Sequence, residues 1–168
     1  MKIYNLLLLS VLNLGLSRAQ ELNGAWQKVN KKAEDQQTIK LYSDAYFTTS
    51  THLKSTGEFI SAYAGTYSVN ESDYIENYEI HSDSRAVTGT FVNFNYKIEN
   101  DKLRLKDRNS RNKEVWVRID TAEKENVTCW KIHQAYRDAT LKTIEDKPRK
   151  SLKMLTDNYY QVIGLNSQ

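Results

Sequence analysis

Few residues in this 168-residue chain are of types that do chemistry, and their spacing keeps them apart. The three histidines, His52, His81 and His133, share none of the spacings that hold zinc, so no metal site is expected. Glu76 and Glu79 stand three apart in a run that reads as a strand. A period of two sends them to opposite faces, which excludes a local acid and base pair. Glu58 or Glu76 could still meet a carboxylate from another strand, a pairing that sequence does not reveal. There is no Gly-x-Ser-x-Gly elbow and no phosphate-cradling glycine loop, and the single cysteine, Cys129, has no recognisable histidine partner. The expectation is a protein with no catalytic residues and no cofactor.

The tyrosines say more. Tyr42, Tyr46, Tyr63, Tyr67, Tyr74, Tyr78 and Tyr96 recur along the first two thirds of the chain, and tyrosine joins a flat apolar ring to a hydroxyl that tolerates water. In a strand, Tyr74, Glu76 and Tyr78 share one face, mixing rings with a carboxylate. Such a face could line a cup for a small hydrophobic, amphiphilic or sugar-like ligand, with Tyr63, Tyr67, Tyr74, Glu76, Tyr78 and Tyr96 as the candidate contacts. The same tyrosines also suit ordinary half-buried sheet positions. Trp26, Trp116 and Arg118 form a second group, read as a structural end plug in which a guanidinium lies on an indole.

These residues must be positioned by strands. Thr38 to Ser43 sets Ile39 and Leu41 against Lys40 and Tyr42, Ser43-Asp44 offers a turn, and Ala45 to Thr49 resumes the extended pattern. Glu58 to Val69 is broken by Gly65, the mark of a bulge or sharp bend, and Asp73 to His81 follows. Thr90 to Ile98 places Val92, Phe94, Tyr96 and Ile98 on one face. Asn100-Asp101 then makes a hairpin turn, and Leu103 and Leu105 return inward. Lys113 to Ile119 closes the series. Closely spaced strands without a helical period predict an antiparallel barrel or sandwich. The one helical candidate is Tyr136 to Ile144, although Thr140 and Thr143 are poor helix formers and no apolar stripe forms.

The chain also repeats itself. Gly24-Ala25-Trp26-Gln27-Lys28-Val29 has a counterpart in Thr128-Cys129-Trp130-Lys131-Ile132-His133, and Thr38 to Phe47 has one in Ser151 to Tyr160. Residues 121–168 therefore read as the opening strands of an incomplete second module. Such a fragment cannot close a barrel alone, so it is expected to pack on the first module, borrow a partner or remain partly disordered.

One resemblance rests on these residues. Gly24-x-Trp26 with Arg118 looks like the lipocalin arrangement of an indole plug crossed by an arginine. To it are added Lys40-Leu41-x-Ser43-Asp44-x-Tyr46-Phe47, Gly57-Glu58-Phe59-Ile60, Gly65-Thr66-Tyr67, Tyr74-x-Glu76, Tyr96-Lys97-Ile98 and Glu114-Val115-Trp116-x-Arg118. Together they resemble a lipocalin-like family of exported bacterial proteins of unknown function, some with two modules. The match covers residues 22 to 120, with the tail as a truncated second copy. It departs at Ala62 and Tyr63, where a common variant has glycines. The resemblance implies a fold and a compartment but no reaction.

The compartment has its own signal. Lys2, the apolar stretch from Leu6 to Leu16 and Ser17-Arg18-Ala19 read as a signal peptide over residues 1–19, cut before Gln20. Cleavage removes two of the 24 basic residues and no acid, leaving 22 against 21 acidic ones, or +1. That balance gives no footprint for nucleic acid, and no later apolar run is long enough to span a membrane. The lone cysteine excludes a disulfide framework. The sequence thus predicts a mainly β, lipocalin-like antiparallel barrel over residues 20–120. It is expected to be exported to the periplasm or beyond, to be non-catalytic and to bind a small ligand. The alternative is a protein interaction module that uses open strand edges in the tail, with homodimerisation through that segment as one form.

Overall fold

The structure, a computed structural model, describes residues 21–43, 45–83, 87–121, 127–131, 134–137, 139–143 and 151–164. The leader expected at residues 1–19, the turn residue Asp44 and His133 lie outside the described residues. Eight strands follow one another through the first part of the chain: β1 (Gly24–Lys28), β2 (Gln36–Ser43), β3 (Tyr46–Leu53), β4 (Phe59–Asn70), β5 (Asp73–His81), β6 (Phe91–Glu99), β7 (Lys102–Asp107) and β8 (Lys113–Asp120). Each pairs antiparallel with the next, and β8 returns to β1, closing a barrel. The alternating sequence pattern predicts an antiparallel barrel or sandwich, and the structure is the barrel, consistent with the lipocalin-like architecture that the resemblance implies.

Local chemistry sets the corners. Asn100 and Asp101 both take positive φ, 50° and 56°, between β6 and β7. That is the geometry of the two-residue hairpin turns whose twist matches the flanking strands. At Gly65 the β4 register with β5 shifts by a residue, and a side chain there would collide with the Asn77 carbonyl. The glycine is required by this close approach at the bulge.

Three further strands, β9 (Thr128–Trp130), β12 (Ser151–Leu155) and β13 (Tyr160–Gly164), form a separate sheet in the order β13, β12, β9. Between them in sequence lies the hairpin of β10 (Gln134–Arg137) and β11 (Thr140–Thr143). This corrects the helical expectation for Tyr136 to Ile144. The β-branched threonines prefer the extended chain, and Ala139, at φ 57°, makes the turn.

The barrel has two apolar cores because its second strand is covered on both sides. Inside lie Trp26, Tyr42, Phe47, Tyr67, Tyr74, Phe94, Leu103, Leu105 and Trp116. Outside, Leu41, Ala62, Ala64 and Ile80 pack against Leu152, Met154 and Ile163 of the three-stranded sheet, with half-buried Cys129 at the margin. Polar contacts moor that sheet: Thr156 Oγ1 donates to Asp120 Oδ2 at 2.8 Å, and Gln161 Nε2 donates to Ser50 Oγ at 2.9 Å. The opposite outer wall is polar, with Lys97 and Arg104 more than half exposed.

Candidate functional site

The tyrosine-bearing face of β5 points into the barrel, and the network there centres on one carboxylate. Glu76 is 1% exposed, and its Oε1 accepts from Lys40 Nζ and, at 2.5 Å, from the Tyr74 hydroxyl. Its Oε2 accepts from the Tyr78 hydroxyl at 3.0 Å. The Tyr74 and Tyr42 hydroxyls lie 2.8 Å apart. Lys40, also 1% exposed, is boxed by rings as well as by its acid. Its ammonium lies 4.9 Å from the Trp116 ring centroid, 5.1 Å from that of Phe47 and 5.6 Å from that of Tyr63. A buried ion pair is sustained only when such contacts replace lost hydration.

The other candidates join the same interior. Tyr67 meets Tyr42 edge-on at 5.1 Å, Tyr96 lies 6.3 Å from Tyr74, and Tyr63 stacks on His81 at 5.7 Å. All six residues suggested by the strand pattern thus come together on one barrel wall. Burial, followed by the charge on Glu76, raises the phenol pKa of Tyr42, Tyr63, Tyr74 and Tyr78. Towards the other side stands Glu114, which accepts from Lys28 at 2.6 Å and from the Trp116 indole at 3.0 Å. Burial alone would raise its pKa, but the charges on Lys40 and Lys28 and these hydrogen bonds outweigh it and hold the carboxyl below its ordinary value.

At the closed end, Arg118 lies 4.1 Å from the Trp26 ring and donates to the Asn23 and Glu21 carbonyls at 2.9 and 2.6 Å. Trp26 is fully buried and donates to the Leu22 carbonyl at 2.8 Å. Trp116, grouped with this plug by the sequence pattern, is buried in the same cluster as Trp26 and also lies against Lys40. Sequence reasoning missed Lys40. The available signal was its place beside Tyr42 on the face of β2 opposite Ile39 and Leu41, but a lysine in a strand reads as the solvent side. Among the described residues, no group of three His, Cys, Asp or Glu is placed to hold a metal ion.

A second region has different properties. The three-stranded sheet reproduces β1, β2 and β3 in register as well as in sequence. Trp26 pairs with Lys40 and Lys40 with Thr49; correspondingly, Trp130 pairs with Lys153 and Lys153 with Val162. Tyr42 pairs with Phe47, and Leu155 with Tyr160. In the barrel that row faces inward. In the tail sheet it faces away from the barrel, leaving Trp130 46%, Tyr160 58% and Val162 50% exposed. Lys153 is exposed among them.

The strand β13 is an edge of its sheet. Thr156 N–H donates to the Tyr159 carbonyl at 2.8 Å. By antiparallel alternation from that pair, Gln161 and Ile163 exchange hydrogen bonds with β12, while Tyr160 and Val162 direct their N–H and C=O groups outward. Beside this edge runs a groove of ≈ 280 Å³ whose walls include His52, Phe59, Ala62 and Ile80 of the barrel and Tyr160 and Val162 of β13. No protein-family model matches the chain, and no curated protein matches it significantly.

Proposed function

We propose that the protein is a non-catalytic interaction module that takes an extended segment of another polypeptide onto the open edge of β13. The observation that carries this is the outward row of backbone donors and acceptors at Tyr160 and Val162, unpaired among the described residues, beside a groove lined by both apolar and polar side chains. An unpaired edge of this kind is a template for strand addition, with main-chain hydrogen bonds giving affinity and alternate side chains giving selectivity. The state of the interior weighs the same way. Lys40 and Glu76 occupy the barrel centre with their tyrosines, so a small apolar, amphiphilic or sugar-like ligand would have to part a buried charge network. As part of the same proposal, the mature chain works outside the cytoplasm, on the strength of its leader-like N-terminus and its resemblance to exported lipocalin-like proteins.

The test is amide NMR of the full chain titrated with a synthetic peptide of Phe59–Asn70, the segment that pairs with β3 in the barrel. Shifts concentrated at residues 160–164, and lost in Val162→Pro, are expected. Proline at this position removes an outward donor and leaves the β12 ladder intact. Absence of shifts at β13, or shifts centred on Tyr74, Glu76 and Tyr78, would sink the proposal.

A further inference from the structure

The outward face of the tail sheet carries the residue row that forms one wall of the Lys40–Glu76 box in the barrel. In the barrel, the row of Trp26, Lys40 and Thr49 is completed by strands beyond β3, since β4 contributes Tyr63 and β5 contributes Glu76, Tyr74 and Tyr78. The tail sheet carries the equivalent row Trp130, Lys153, Val162, with Tyr160 in the place of Phe47. Among the described residues of this face, Trp130, Lys153, Leu155, Tyr160 and Val162 include no carboxylate. Any strand added to β13 and curving over this row would remove the Lys153 ammonium from water, and that requires a countercharge.

Resting on the edge-pairing reading, we propose that the partner segment is a β-hairpin with defined chemistry. Its first strand pairs antiparallel with β13, presenting small apolar side chains to the groove over Ala62 and Ile80. Its second strand brings a carboxylate, flanked two residues on either side by aromatic rings, to Lys153. The tail face thereby becomes a site for an acidic, tyrosine-rich hairpin on another chain. Two copies of this chain closing face to face would instead bury two Lys153 ammonium groups with no acid between them. Charge complementarity therefore selects an unlike partner.

The chain itself supplies a probe of the right chemistry. A synthetic peptide spanning the β4–β5 hairpin, Phe59–His81, carries the Tyr74-x-Glu76-x-Tyr78 pattern in the register that completes the barrel. Its affinity for the full-length protein is measured by NMR titration at β13, alongside a Glu76→Gln peptide and a Glu71→Gln peptide of the same net charge. The expected result is about tenfold weaker binding for the Glu76→Gln peptide, as loss of one desolvated charge pair implies, and no loss for Glu71→Gln. The difference is expected to vanish in Lys153→Met protein, a substitution at an exposed position that the fold tolerates. Equal binding of all three peptides at β13 would overturn the carboxylate requirement and leave edge pairing standing. Weakening by both glutamine peptides alike would reduce the effect to general charge and overturn it too. No shift at β13 with any peptide would overturn the edge reading itself.

Discussion

The three strands that open the barrel and the three that form the tail sheet share sequence and register, yet their central lysines meet opposite fates. Lys40 is sealed in the barrel against Glu76 and several aromatic rings, whereas Lys153 stands exposed between Trp130 and Val162. The difference comes from what lies beyond the third strand. In the barrel, β3 is followed by strands that bring the acid and the remaining rings. In the tail, β13 borders a groove. The same local code thus produces a closed core in one setting and an exposed sheet face in the other.

The comparison breaks most sharply at the lysines and tryptophans. Lys40→Met strands the Glu76 carboxylate in the interior and is expected to cost about 3–5 kcal/mol, whereas Lys153→Met shifts stability by about 0.5 kcal/mol or less. Trp26→Ala, which empties the plug under Arg118, is expected to cost about 3–5 kcal/mol. Trp130→Ala should fall well short of that because its indole is nearly half exposed. Urea unfolding of the four variants reads all of these. Equal losses at Lys40 and Lys153 would mean that the two rows are not in the different environments described.

A smaller effect is expected at the seam between the copies. Leu152→Ala removes a fully buried side chain facing the outer wall of β2 to β5 and should cost about 2–4 kcal/mol. The loss should appear first as faster hydrogen exchange in β12 while the barrel keeps its protection, which separates docking of the tail from closure of the barrel.

The smallest effects are those of pH. The folded pKa of Glu114 lies below its ordinary value, so its contribution is present above the unfolded value of about 4.3. It is lost as pH falls through the lower, folded value. Glu114→Gln should therefore flatten the loss of stability on acidification while leaving its steepness elsewhere unchanged. The tyrosines run the other way. Their raised pKa values favour the folded state fully below about pH 10, and that contribution is lost as pH rises further. The share of phenolate absorbance due to Tyr42, Tyr63, Tyr74 and Tyr78 should then appear together with unfolding, not before it.

Much of this architecture is legible in the sequence because it is local. Period-two alternation fixes the strands from β2 to β8, Asn100-Asp101 fixes a turn, and Gly65 marks the bulge where Asn77 comes too close for a side chain. The repeat makes the tail visible as strands homologous to β1, β2 and β3. Other features depend on contacts distant in the chain. Lys40 finds its acid 36 residues later, so nothing near it announces a buried charge. Ile39 and Leu41 lose their solvent face to a sheet that begins at Thr128. The β10–β11 hairpin was obscured by Ala135, Tyr136 and Leu141, whose apolar spacing is compatible with either period. For the site, the pattern placed Tyr74, Glu76 and Tyr78 together correctly, but whether that face encloses space or fills it is decided by packing.

The most direct measurement is native-state amide exchange of the isolated full-length protein, comparing Phe47 and Thr49 with their counterparts Tyr160 and Val162. The account predicts that Phe47 and Thr49, bonded to β4, exchange only when the barrel opens. Tyr160 and Val162 should exchange nearly as fast as in an unstructured chain, while Gln161 and Ile163 between them stay protected by β12. Equal, strong protection at Thr49 and Val162 would contradict it, because the β13 edge would then already be paired.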